Sequence, residues 1–363
     1  DFAYLADWWD DREVTEWAWQ VPIEDIERRG YNLVITNPHV EAIERRDPAE
    51  LLSELEAAQA EVQSTRDALR TALAGSPGLA GRRILTDQLE KFVSTFESIE
   101  RLRTFVISLA VRGRLTEQDS ADEPASALLQ HIAAEKQARY EAGEIRKSKM
   151  LSTVGEDEQP FEVPEGWAWV RFGTVADHRL GKMLDKQKNE GTLRPYLRNV
   201  NVRWFDFDLS DLKEMRIQDA QVEEYSVQRG DLLICEGGEP GRCAVWDREG
   251  SLAFQKALHR ARPFADVSPE YLGLVLKAAA DSDRLADNFT GATIQHLTGK
   301  SLAVLAIPLP PLAEQARIVA RVDELTALCD RLAAKLAEAD ENAERLMRAV
   351  LEEALAAPGT AAS

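Results

Sequence analysis

Ile307-Pro308-Leu309-Pro310-Pro311-Leu312-Ala313-Glu314-Gln315, running on into Ala316-Arg317-Ile318-Val319, is the stretch that organises this chain. Proline locks φ and has no backbone donor, so the segment is extended as far as Pro311. Beyond it a helix is free to start, with Glu314 in the first turn, where a carboxylate suits the positive end of the helix dipole. Downstream, Val322, Leu325, Cys329, Leu332, Leu336, Ala339, Ala343, Leu346 and Val350 recur at alternating steps of three and four, a heptad seam. The spacing predicts one coiled-coil helix over 318–354, about 35 to 40 residues and roughly 50 to 60 Å long. Cys329 lies on the seam and reads as a core residue.

Residues 161–308 have a different texture. Trp167, Trp169, Tyr196, Trp204 and Trp246 are scattered among short β-rich runs such as 167–172 and 232–235, punctuated by paired glycines. This is an α+β domain built around a sheet, with helices expected over 269–281 and 299–303. Before it, Leu85, Leu89, Phe92, Phe96, Ile99, Leu102, Val106 and Leu109 make an amphipathic helical stripe that ends at Gly113, suited to a left-handed cap. A second helix is expected over 124–141, followed by a charged, mobile linker. Residues 48–74 form a polar Ala/Glu-rich helix that breaks at Gly75-Ser76-Pro77-Gly78. The resulting division is 1–78, 79–160, 161–308 and 309–363.

The chain has 363 residues, 44% of them hydrophobic, enough for two or three domains with real cores. Cys235, Cys243 and Cys329 are too scattered for a disulfide framework or a paired zinc spacing, which suits a cytoplasmic protein. No apolar stretch reaches the roughly 18 residues of a membrane span, and the acidic start is unlike a signal peptide. No membrane role is inferred. The net charge of −19 at pH 7 argues against binding nucleic acid at face value, but its distribution weakens that objection. Residues 1–170 carry −14 and 309–363 carry −4, leaving −1 for 171–308, nearly all of the sheet domain.

The proline stretch closely resembles the segment that ends a target recognition domain and begins a spacer helix in the specificity subunits of type I restriction-modification enzymes. Other pieces resemble the same family in the right order: 102–115 (LRTFVISLAVRGRL), 122–125 (DEPA), 164–169 (PEGWAW) and 230–238 (GDLLICEGG). Together they cover about 85–355. The resemblance implies a target recognition domain flanked by long antiparallel coiled-coil spacer helices, docking in the DNA major groove to read half of a split target.

Such subunits typically carry two recognition domains; one is found here. The implied assembly is a homodimer of half-subunits on an interrupted palindrome, though the seam also permits pairing of helix 85–109 with helix 318–354 inside one chain. Residues 1–74 resemble the C-terminal tail of type I adenine methyltransferase subunits, at Trp8-Trp9, Arg12, Ala18-Trp19, Val21, Gly30-Tyr31-Asn32-Leu33 and Asn37-Pro38. The implied partners are double-stranded DNA, an N6-adenine methyltransferase subunit or upstream domain that would hold S-adenosylmethionine, and a restriction subunit that translocates and cuts. No cofactor is expected on this chain. Two alternatives stand beside this reading: the C-terminal portion of a fused methyltransferase whose catalytic domain lies upstream, and a coiled-coil interaction protein with no DNA role.

Catalytic readings are poor. Asn37-Pro38 continues as His39-Val40, without the second proline and stacking aromatic of an adenine-holding motif. Gly237-Gly238-Glu239-Pro240-Gly241 lacks the Lys-Ser/Thr of a phosphate loop and reads as a β-turn. The histidines His39, His131, His178, His259 and His296 have no metal spacing.

For DNA contact, the candidates are Lys182, Lys186, Lys188 and Arg194, followed by Arg198 and Asn199; Glu236 and Arg242 at the turn; Gln255, Lys256, His259 and Arg260; and Thr293, Gln295, His296 and Lys300. In this reading the cations hold phosphates while Arg198, Asn199 and Gln295 read base edges. The plain alternative for each is a solvated loop residue.

Overall fold

The computed structural model describes residues 19–31, 46–79, 93–146, 150–185, 187–291 and 295–356. It divides into two compact units, Asp1–Gln59 with Glu338–Ser363, and Ala60–Ala337. The smaller holds α1 (Ile23–Arg28) and parts of two long helices, α2 (Pro48–Ala74) and the C-terminal one. Asp47 starts α2 by accepting from Ala49 N at 2.8 Å, and Leu51 and Ala58 are buried along it. The methyltransferase-like residues Trp8, Trp9, Arg12, Ala18, Leu33, Asn37 and Pro38 lie outside the described residues.

In the larger unit the next α-helix among the described residues is α3 (Phe96–Ala110). The sequence stripe places its start at Leu85, but 93–95 are not helical and Leu85, Leu89 and Phe92 lie outside the described residues. A capping box fixes the start: Ser98 N donates to Thr95 Oγ1 at 3.2 Å and Thr95 N donates back to Ser98 Oγ at 2.9 Å. At the far end Gly113 takes φ +65°, and Arg114 N donates to Leu109 O at 2.9 Å. Next comes α4 (Ala125–Glu141).

The segment after α4, expected to be a mobile linker, is tied down over 152–161. Arg171, 7% exposed, donates to Ser152 O, Thr153 O and the Glu158 carboxylate. Phe161 packs edge-on to Trp169, with ring centroids 4.9 Å apart.

The sheet domain begins with β1 (Ala168–Arg171), the single turn α5 (Phe172–Val175) and β2 (Ala176–Leu180). There follow β3 (Thr192–Leu197), β4 (Lys213–Ile217), β5 (Leu232–Cys235), β6 (Cys243–Val245), β7 (Ala253–Phe254) and β8 (Leu258–Pro263). After α6 (Pro269–Asp281) and α7 (Gly299–Val304), β9 (Ala306–Leu309) leads into α8 (Leu312–Ala356). The main sheet is antiparallel in the order β2-β8-β5-β6; β4-β3-β7 forms a second sheet, and β9 pairs with β1.

All four residues of β5 are buried, as a continuous apolar run in a central strand requires. A core of Leu197, Phe207, Leu233, Trp246, Phe254 and Leu258 packs between the two larger sheets. On α6, Tyr271, Leu272, Val275 and Leu276 are buried, and its start is set by Ser268, whose Oγ accepts from Tyr271 N at 3.0 Å, with Pro269 in the first helical position.

The 45 residues of α8 exceed the expected length, because the helix begins directly after Pro311. Its buried face in the larger unit is Ile318, Val322, Leu325, Leu328, Cys329 and Leu332. Helix α3 lies antiparallel against it, with Arg103 paired to Asp330 while Gln118, beyond the end of α3, reaches Glu314. Helix α2 covers it too: Arg321 donates to Ala72 O. In the smaller unit Ala339 and Asn342 are buried, but Val350 is 49% exposed, so the heptad seam is not covered along its whole length.

Candidate nucleic-acid interface

Two polar clusters stand out in the sheet domain, and they do different work. The first is the joint with α8. Glu314, 1% exposed, accepts from Trp167 Nε1 at 2.7 Å and from Gln118 Nε2 at 2.5 Å. Gln315, equally buried, donates to Pro310 O at 3.0 Å and accepts from Ser268 N at 2.9 Å. Burial pushes the Glu314 carboxyl above the usual range, and the indole and amide donors oppose that rise. Arg317 pairs with Asp122, and a Cβ on Gly113 would fall 2.4 Å from the Pro164 ring. The joint therefore gathers Gly113, Asp122, Pro164, Trp167 and Glu314, one or more residues from four of the five stretches that carry the family resemblance. They are fasteners between helices and sheet.

The second cluster is one end of the main sheet, where β2 and β5 finish and β6 and β8 begin. Short segments far apart in sequence are cross-linked there by backbone bonds. Glu236 N donates to Ala257 O at 2.9 Å, Leu297 N to Glu236 O at 2.8 Å, Lys256 N to Lys182 O at 2.9 Å and Gln255 N to Leu197 O at 3.1 Å. Asn199 Nδ2 reaches Gly237 O at 3.2 Å. The β5–β6 connection closes as a turn, with Arg242 N donating to Glu239 O at 3.2 Å. Gly238 takes φ +85°, and a Cβ there would sit 2.7 Å from Asn199 Nδ2, so glycine lets Asn199 lie against the turn.

This end brings together Lys182, Arg198, Asn199, Glu236, Arg242, Gln255, Lys256, Gln295 and His296. Several of their side chains are already engaged. Lys182 Nζ donates to Gln221 Oε1 at 2.9 Å and lies over the Tyr225 ring. Arg198 holds Asp211 at 2.7 Å. Together with Lys213, whose hydrogen bond is the larger influence, it keeps the Asp211 carboxyl below the ordinary range. Arg242 bonds Glu239 Oε2 at 2.7 Å and Asn199 O at 3.0 Å, which makes it a support for Asn199. Glu236 lies 3.6 Å from His296 Nδ1. Lys256 and Gln295 are exposed, and Lys256 has no ion pair among the described residues.

The other candidates lie elsewhere. Arg194, bonded to Asp219 at 2.9 Å, sits three residues before the end of β3, about 10 Å back along the strand. Lys188 lies before β3 and is 3.8 Å from Asp185. Lys300 is exposed on the flank of β2, in a hollow it shares with Lys136, Asp177, Arg179 and Glu224. Lys186 and Thr293 lie outside the described residues.

His259 and Arg260 leave the set of DNA contacts, because β8 carries both into the interior, 0% and 2% exposed. Arg260 donates to Ser226 O at 2.6 Å and Glu224 O at 3.2 Å, and burial lowers its pKa to about 10. His259 Nε2 lies 2.7 Å from Leu297 O, and burial lowers its pKa to about 4.

Sequence reasoning missed the groups that shape this end from beneath. Asn201, 2% exposed, donates to Asp208 O at 2.9 Å and Asp211 O at 3.2 Å and accepts from Arg198 N at 3.0 Å, folding 198–211 into a compact loop. Asp231, 1% exposed, accepts from Arg262 Nε at 2.6 Å and Nη2 at 3.1 Å. Trp204 Nε1 donates to Glu239 Oε1 at 2.7 Å, which fixes the carboxylate that holds Arg242. No periodicity or motif marks Asn201 or Trp204; Asp231 stood inside a quoted motif, but its buried arginine partner comes from another strand.

A sheet domain that offers clustered polar loops at one end and is bolted to long helices at a buried joint belongs to a definable class. Residues 164–339 match the family described as the type I restriction modification DNA specificity domain. The chain is 28% identical over 283 residues to the specificity subunit of the type I restriction enzyme EcoEI of Escherichia coli, covering 75% of this chain and 48% of that protein. It is 32% identical over 240 residues to the EcoAI specificity subunit of the same species, covering 64% of this chain and 40% of that protein. It thus spans about half the length of these relatives or less. A further match, 40% over 89 residues, is to the EcoEI methylase subunit, covering 22% of this chain and 18% of that protein, and it fits the N-terminal part.

Proposed function

We propose that this chain is the sequence-reading part of a type I restriction-modification enzyme and directs N6-adenine methylation to a split DNA target. The loops at the end of β2, β5, β6 and β8 meet double-stranded DNA, Lys256 and the other basic side chains there hold phosphates, and Asn199 and Gln295 read base edges. The observation that carries this reading is the convergence of Asn199, Glu236, Lys256 and Gln295 at one end of a sheet that lies within the matched specificity domain. The acidic helices face protein instead.

In this reading the chain transfers no methyl group. An adenine methyltransferase subunit or domain supplies the catalyst and binds S-adenosylmethionine, a restriction subunit is a further partner, and the assembly works in the cytoplasm. With one specificity domain matched, a second copy completes the target through the helices, giving a homodimer on an interrupted palindrome. The match to a methylase subunit also favours a second form of the reading, a methyltransferase and specificity segment fused in one polypeptide.

The test is binding of the full chain to a duplex selected from a random pool and to its scrambled version. Affinity for both should fall steeply between about 50 and 200 mM salt, and Lys256→Ala should lower the salt slope by about one for both. Salt-independent binding, or none, contradicts a DNA role and favours an interaction protein.

A further inference from the structure

The position of His259 gives it a task that neither contact with DNA nor plain core packing accounts for. Its ring is fully buried on β8, edge-on to the ring of His178 at 6.1 Å, and Gly299 lies against both rings, its Cβ position 3.7 Å from one and 3.8 Å from the other. One polar atom, Nε2, meets Leu297 O at 2.7 Å; the other, Nδ1, has no partner among the described residues. A carbonyl only accepts, so Nε2 carries the hydrogen and Nδ1 is a bare lone pair inside the protein. Burial keeps this ring neutral well below physiological pH.

Leu297 is the hinge of the segment it fixes. Its N–H donates to Glu236 O at 2.8 Å, at the exit of β5. His296, just before it, bridges to Gly237, and Thr298, just after it, caps α7 by accepting from Ser301 N at 3.2 Å. The Leu297 peptide is thereby held from both sides: its N–H by the β5 exit and its C=O by His259. Gln295 and His296 project from that anchored point to the end of the sheet.

We propose that His259 is a positioning residue for sequence reading, a strut whose single Nε2–H bond sets where Gln295 and His296 stand against the Glu236–Gly238 turn. The proposal rests on the DNA-reading function above. Core packing alone asks only for a ring of this size; the strut asks for a donor at one vertex of it. His259→Phe keeps the ring and removes the donor, leaving the Leu297 carbonyl buried and unpaired. His259→Gln places an amide N–H near the position of Nε2, whereas His259→Asn places its amide nearer Nδ1.

The experiment compares the full chain and these three variants on the selected duplex and on single-position variants of it. His259→Phe should lower the ratio of selected to altered duplex about tenfold, since an orphaned buried carbonyl costs on the order of one decade of positioning, while binding of a scrambled duplex at low salt stays as in the parent chain. His259→Gln should restore most of the ratio and His259→Asn should not. Hydrogen exchange at the Leu297 amide is read alongside, and should quicken in His259→Phe and His259→Asn and recover in His259→Gln.

Unchanged discrimination and unchanged Leu297 exchange in His259→Phe overturn the strut. So does a failure of Gln to outperform Asn, or a parallel loss of selected and scrambled binding. If the parent chain retains no duplex, the DNA reading falls by itself, and the exchange at Leu297 decides the strut alone.

Discussion

Replacing Glu314 by alanine tests whether the α8 joint is a built polar fastener. The carboxylate is 1% exposed and accepts from the Trp167 indole at 2.7 Å, so its removal strands a buried N–H, at a cost of about 1–3 kcal/mol. Lost side-chain packing adds about 1 kcal/mol, while Gln118, exposed, turns to water. Glu314→Ala should therefore destabilise the larger unit by about 2–4 kcal/mol.

Glu314→Gln should cost under about 1 kcal/mol, because it keeps an acceptor for the indole and removes a charge that burial disfavours. The pH dependence follows from the same burial. The folded carboxyl holds its proton more tightly than the unfolded one, so its contribution is greatest in acid and is lost as pH rises through the folded pKa. The parent chain should accordingly gain on Glu314→Gln as pH falls from neutrality. Urea unfolding followed by tryptophan fluorescence, across that pH range, gives all three numbers. An alanine variant within about 0.5 kcal/mol of the parent, or a glutamine variant as weak as alanine, rules out a built polar fastener at Glu314.

Two further substitutions probe the sheet domain. Asp231→Asn weakens a buried carboxylate that holds Arg262 by two bonds, and should cost about 3–5 kcal/mol in the same unfolding assay; a loss under about 1 kcal/mol contradicts the assignment. Gly238→Ala adds a Cβ 2.7 Å from Asn199 Nδ2 at a φ of +85°, so it should displace Asn199 and reduce discrimination at one target position, read by competition between matched and altered duplexes.

Local pattern made the scaffold legible. Pro310-Pro311 mark the point after which α8 starts, although the heptad spacing alone placed its start at 318, the bounds of α2 and α6 follow from their proline starts and breaking residues, and the apolar run 232–235 is the buried central strand. Where two signals competed, the longer-range one misled: the apolar stripe from Leu85 suggests a longer α3, but Thr95 and Ser98 interrupt it with a cap that depends on only two residues. The charged segment before the sheet read as a linker because its anchor, Arg171, lies on a strand that sequence spacing does not connect to it.

The interface was legible as a collection of polar loops but not as a surface. His259 and Arg260 follow Gln255 and Lys256 by only four residues, yet β8 turns them into the core while the preceding pair stays at the rim. A run of polar residues does not state which of its members a strand will bury. Four of the five stretches that carried the family resemblance hold the joint, where geometry is fixed; the fifth, 230–238, brings Glu236–Gly238 to the sheet end, but the loops it meets there, around Asn199, Lys256 and Gln295, carry no motif that names their task.

If Asn199 and Gln295, gathered at one end of the sheet, read bases for a methyltransferase, the methylated motif depends on both side chains. Sequencing that detects N6-methyladenine in the genome of cells carrying the parent chain, or Asn199→Ala with Gln295→Ala, measures this most directly. The expected result is an interrupted palindromic motif for the parent and the same motif with positions relaxed symmetrically in both halves for the variant. An identical motif in both strains, at equal methylation, would contradict it.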